Sequence, residues 1–113
     1  MHKIKKNSRL LKVISTSKKK LRDSIIKGSD KEFIYCICEC VLNLMNGNLN
    51  IDKNTYYKLK PYKNTFKKLL KKSQLKDKKR IIIQKGGFLQ YLIPAVITSI
   101  STIVTELIKN NKE

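Results

Sequence analysis

The sequence predicts an all-α fold: a compact bundle of about five short helices followed by a hydrophobic C-terminal helix. Three observations support it. The chain has 4 Gly, 2 Pro and no Trp among its 113 residues, and Leu and Ile are plentiful, a mix that favours helices over a β-sandwich. Apolar residues recur at helical spacing between breaks marked by glycine or proline. No convincing period-two pattern competes, although the apolar, β-branched residues 81–83 have the composition of a short strand.

The elements follow in order. Residues 1–7 form a basic arm, and residues 8–85 a helical basic domain. Leu10, Leu11, Val13 and Ile14 suit a first short helix. Ser17 is placed to cap a second, whose apolar Leu21, Ile25 and Ile26 are about four apart and which stops at Gly28 in a left-handed C-terminal position. Residues 29–32, Ser-Asp-Lys-Glu, have the form of a capping box with Ser29 at the cap and Glu32 reaching back. The helix that follows, from Phe33 to a second terminal glycine at Gly47, is apolar nearly all round, the pattern of a buried central helix. Asp52 is the expected cap of the next, carrying Tyr56, Tyr57 and Leu59, and Pro61 breaks or restarts it. Tyr62, Phe66, Leu69 and Leu70 continue at helical spacing, and Ser73 or Asp77 caps a last short helix.

Beyond the pair Gly86-Gly87, read as a hinge, the chain changes character. Residues 1–87 hold 24 of the 26 Lys+Arg and 6 of the 8 acids, and so the whole net charge of +18. Residues 88–113 are a neutral, greasy tail helix. Leu89, Ile93, Val96, Ile100, Ile103 and Leu107 form one seam on it, beside a Ser/Thr-rich surface. A bilayer core of ~30 Å needs about 20 such residues, so the tail is long enough to span one. The seam equally suits a protein partner, lipid and protein being the two choices, and it suits self-association.

So much positive charge on 13.2 kDa repels itself unless an anion neutralises it. The candidate contacts are Lys3, Lys5, Lys6, Lys18, Lys19, Lys20, Lys63, Lys67, Lys68, Lys71, Lys72, Lys76, Lys78, Lys79 and Arg80. Lysine is a point charge, whereas arginine makes the bidentate contacts that read guanine, and Arg occurs only at 9, 22 and 80. Nucleic acid, held through its phosphates without regard to sequence, is therefore the leading partner. An anionic membrane surface and an acidic protein are the alternatives, which leaves three classes of function open: a DNA-condensing protein, a membrane-anchored or membrane-active protein, and a helical scaffold or adaptor.

Enzyme chemistry is not expected. One histidine, scattered acids and no glycine-rich phosphate loop leave nothing to assemble a base, a nucleophile or a nucleotide site. Cys36, Cys38 and Cys40 lie within five residues without the second ligand pair a zinc site wants, so they read as buried structural thiols, with no metal or cofactor implied. An odd cysteine count and a polar, basic N-terminus point to a reducing interior, cytosol or nucleus.

A run of residues then adds a resemblance. Leu-Lys-Pro-Tyr-Lys at 59–63, Lys-Lys-Leu-Leu-Lys-Lys at 67–72, the stretch from Leu75 through Lys-Gly-Gly-Phe-Leu at 85–89, and the hydrophobic tail resemble the small basic core proteins of Maverick/Polinton elements and adintovirus-like viruses. Those proteins are compared with adenovirus core protein X, which is much smaller and rich in Arg. The resemblance implies a virion core protein that packs DNA in the virion and is found in the host nucleus or cytoplasm. It also implies a tail docked to capsid protein or membrane until a viral maturation protease releases it. Such proteases recognise a large residue, any residue and Gly-Gly before the cut, which here would fall after Gly86-Gly87, between Gly87 and Phe88, with Gln84 where Ile, Leu or Met is usual.

Overall fold

The computed structural model describes the backbone of residues 2–111 and the side chains of residues 3–100. It is all-α: α1 (His2–Lys6), α2 (Ser8–Thr16), α3 (Lys19–Gly28), α4 (Lys31–Met45), α5 (Lys53–Leu59), α6 (Lys63–Leu70), α7 (Leu75–Lys85) and α8 (Leu89–Asn111). Short 3-10 turns at Lys60–Tyr62 and Gly86–Phe88 join α5 to α6 and α7 to α8. Residues 81–83 are helical, because Ile82 is needed on the buried side of α7.

The predicted central helix is central. α4 buries Phe33, Ile34, Cys36, Ile37, Cys38, Cys40 and Val41, and is packed by α1, α6, α7 and α8. It ends in a Schellman turn. Gly47 takes φ +73°, its N–H bonds the Leu44 carbonyl at 3.1 Å, and the Asn48 N–H reaches back to Asn43 at 2.9 Å. Gly28 does not use that conformation: it closes α3 as a helical residue, and extended Ser29 turns the chain instead.

Caps are set by which short side chain can reach back without leaving a neighbour unpaired. Asp30, not Ser29, caps α4, accepting from the Phe33 N–H at 2.9 Å. Ser29 donates to the Ile25 carbonyl of α3, and Glu32 pairs with Lys6 at 3.3 Å, so the expected capping box is absent. Ser17 likewise belongs to the end of α2, donating to Val13, while α3 starts without a side-chain cap. Ser73 and Asp77 leave the start of α7 uncapped as well: Ser73 donates to Lys71, and Asp77 lies in the first turn. Asp52 caps α5 as expected, accepting from Thr55 at 2.7 Å. Those bonds hold its carboxyl below the usual range.

Two ends of the chain depart from expectation. The basic arm is docked, since Ile4 of α1 is completely buried against α4 and the Cys36 thiol donates to the Lys3 carbonyl. The tail, as far as its side chains are described, is core. Phe88, Leu89, Leu92, Ile93 and Val96 have no exposure, and α8 packs on α2, α4 and α5. The reason is supply of apolar surface. Helices of 7–11 residues each bury only a few side chains, and the 23-residue α8 provides the common wall they need.

Candidate nucleic-acid interface

The cationic side chains are arranged by the ends of α3, α4, α6 and α7. The Lys79 ammonium donates to the Lys27 carbonyl at the end of α3 (3.0 Å), while Arg22, further up α3, lies against Gly86 at the end of α7. α3 and α7 are therefore antiparallel neighbours. The Lys78 ammonium donates to the Leu69 and Lys71 carbonyls at the end of α6 (2.5 and 2.8 Å), and lies 6.0 Å from the centre of the Tyr35 ring near the start of α4. Lys31 approaches that ring at 5.5 Å. One pole of the molecule thus collects the C-termini of α3 and α6 with the N-termini of α4 and α7.

Most of the predicted contacts lie at this pole. Lys71, Lys72, Lys76 and Arg80 are exposed there, with Lys68 one turn before the end of α6. Exposed Lys3, Lys5 and Lys6 join them, because α1 is docked along the first turns of α4. Lys27 and Lys31, not singled out from the sequence, belong to the same pole; only the antiparallel pairing of α3 and α7 reveals them. Lys18, Lys19 and Lys20 are exposed but sit at the opposite end of α3, beside the Arg22–Gly86 contact. Lys63 is exposed at the far end of α6, and Lys67 lies between the two poles.

Two of the lysines are not free for phosphate. Lys78 is only 4% exposed, and both carbonyls it meets are those that α6 leaves without helical partners. It closes a helix end and belongs to the core, which corrects the expectation that it faces DNA. Lys79 is half-buried and performs the same service for α3. Few acids offset the others. Ion pairs among the described residues include Lys6–Glu32, Lys19–Asp23 and Arg80–Asp77, all with well-exposed cations.

The presumed hinge is closed. Gly86 is buried, and a Cβ there would lie 3.2 Å from the Arg22 guanidinium. A Cβ on Gly87 would lie 2.9 Å from the Tyr62 hydroxyl. Both glycines are needed for close approach and neither for unusual torsion angles. Phe88 next to them packs edge-on against Phe66 at 5.1 Å and against Tyr62 at 5.8 Å. The Gly87–Phe88 bond is therefore folded into a 3-10 turn beside the aromatic core, where the sequence suggested an exposed, extended stretch.

The seam meets its own chain. Leu89, Ile93 and Val96 are fully buried and Ile100 packs at the edge of the core, while the side chains of Ile103 and Leu107 lie outside the described residues. Ser99, expected on a polar flank, is buried: its hydroxyl donates to Ala95 at 2.9 Å and accepts from the Asn50 N–H at 3.0 Å, pinning the loop after α4 onto α8. By length and composition alone the stretch Leu75–Ile100 is apolar enough to cross a membrane.

The cysteines are internal. All three are free and buried, and no cluster of metal-binding side chains forms among the described residues. Cys38, on the opposite side of α4 from Cys36 and Cys40, is covered by α6 and touches the Leu69 carbonyl at 3.9 Å. Burial pushes its thiol above the ordinary value, opposed by the charge of Lys78. Cys40 is pushed up further, first by its hydrogen bond to Cys36 and then by burial.

The sequence matches no protein-family model, and neither a curated protein nor a solved structure matches the chain.

Proposed function

We propose that the domain binds double-stranded DNA without sequence preference and condenses it, as a virion core protein does. One observation carries the reading: apart from Lys78 and Lys79, every candidate lysine, and Arg80, is exposed on a chain with a net charge of +18. Cations held on short rigid helices, with few acids beside them, suit a phosphate backbone. The basic pole would give that backbone a continuous seat, and Lys18–Lys20 at the other end a second one. A particle with two cationic faces bridges duplexes, which is what condensation requires.

The runner-up, insertion of the tail into a membrane, has the length and composition of Leu75–Ile100 in its favour. Against it stands the burial of Phe88 through Val96, since insertion would remove the wall of the core. Cleavage after Gly87 by a maturation protease would likewise follow local opening of the Gly86–Phe88 turn.

The test is binding of the full chain to duplex DNA across a salt series, with an unrelated duplex as competitor. With ~6 phosphates neutralised, log K falls against log salt with a slope near −5, and both duplexes compete equally. A flat salt dependence would sink the proposal.

A further inference from the structure

At the end of α4 away from the basic pole lies a cleft of about 360 Å³. The last turn of α4, the loop to α5, α5 itself and the first turn of α6 enclose it. Its wall is aliphatic and aromatic, with Leu44, Leu49, Ile51, Leu59 and Phe66 contributing. Met45 and Tyr56 stand at its mouth, exposed by 39% and 50%. The same cleft is lined by Lys60 and Lys63, both exposed, and by no acid. The carbonyls that end α4 are already satisfied by the Schellman turn, so these two ammonium groups are not needed to close that helix.

We infer that this cleft is a binding site for a single-chain anionic amphiphile, an acyl chain ending in a carboxylate or phosphate. The volume falls within the range of ligand sites, ~300–1,000 Å³, and the wall rewards burial of methylene groups. Charge complementarity fixes the head group, since two lysines at the cleft favour an anion and no acid there favours a cation. A nucleobase fits the chemistry poorly. It would need hydrogen-bonding groups along its edge, and the wall offers aliphatic carbon. The inference does not rest on DNA binding, although Lys63 is shared with the candidate phosphate contacts.

The experiment titrates the full chain with dodecanoate, dodecyl phosphate and dodecyltrimethylammonium, each below its micelle concentration. Calorimetry gives the stoichiometry, and the Met45 methyl resonance reports the place. The expected result is saturation at one anion per chain, with the Met45 signal shifted, and no binding of the cationic amphiphile. Dodecanoate and dodecyl phosphate, run as separate arms, tell which head group is preferred. Met45→Glu and the double variant Lys60→Glu/Lys63→Glu each weaken binding about tenfold or more. Lys5→Glu/Lys76→Glu, the same change of charge at the other pole, leaves it within about twofold. Four outcomes would overturn the site: equal loss in that control, uptake of many anions per chain without saturation, equal binding of the cationic amphiphile, or a dimer that buries Met45 in the absence of amphiphile.

Discussion

On one side of Gly86-Gly87 lies all the net charge of the chain, and on the other a neutral apolar helix. By charge they are two modules. By packing they are one, because Phe88 to Val96 form the wall on which α2, α4 and α5 close. The difference teaches that a boundary in charge need not be a boundary in folding. Charge is distributed by what the surface must meet. Apolar side chains are distributed by what the core must bury, and a polycationic segment made of short helices has too few of its own.

Removing the apolar side should therefore break the basic side, and this is the largest effect. Phe88→Ala leaves a void beside Phe66 and Tyr62 and should lower stability by about 3–5 kcal/mol. A chain ending at Gly87 should lose cooperative unfolding altogether, as seen by circular dichroism in a urea series. If such a chain instead melts like the full one, residues 1–87 are an independent domain and the comparison fails.

Lys78 tests the converse, a charge that behaves as core. Lys78→Met keeps the bulk but leaves the Lys71 carbonyl without its donor and the Leu69 carbonyl with only the weak Cys38 thiol, at a cost of about 2–4 kcal/mol by urea denaturation. A neutral result would return Lys78 to the DNA-facing set.

The boundary itself comes next. Gly87→Ala puts a methyl 2.9 Å from the Tyr62 hydroxyl, and Tyr62 is held between Phe66 and Phe88, so it has little room to retreat. A loss of about 1–3 kcal/mol is expected. A true hinge would accept alanine without cost.

These contrasts mark what the sequence disclosed. The all-α class, the central helix and the glycine stop at Gly47 were legible, because periodicity and a left-handed terminal residue are local properties. Asp52 was legible for the same reason. Ser29 and Asp30 were confused because both are good caps, and the choice fell to the unpaired Ile25 carbonyl at the end of the preceding helix. The identity of the exposed lysines was mostly readable. Their sorting into poles was not, since it depends on which helix ends meet. Lys78 and Lys76 stand two apart, on opposite sides of α7, and nothing local says which side is covered.

The buried thiols supply a pH test on the basic side. Cys38 has a folded value raised by burial above that of an unfolded thiol, so the fold favours its neutral form, whereas the hydrogen bond that raises Cys40 lowers Cys36 and the two oppose each other. The contribution of Cys38 is complete below about pH 8.5, the ordinary thiol value, and declines as pH rises through that of the folded state. Stability should fall by about 1 kcal/mol per pH unit above pH 9, and Cys38→Ala should flatten that decline. An equal decline in the variant would overturn the assignment to the thiol.

Smallest in stability, and sharpest for function, is reversal of charge where charge is only surface. Lys72 and Lys76 are exposed at the basic pole, and neither appears in a helix-closing contact. Lys72→Glu/Lys76→Glu should leave stability within about 0.5 kcal/mol of the parent chain, as surface substitutions do. The same variant should reduce the salt slope of DNA binding by about 2, one phosphate for each lysine. The pairing of a silent melt with a changed slope separates Lys72 and Lys76 from Lys78, which shares their helix region and charge but should do the reverse. If the variant melts normally and its slope is unchanged, the DNA backbone does not cross this pole, and Lys18, Lys19 and Lys20 at the other end of α3 become the contacts to reverse next.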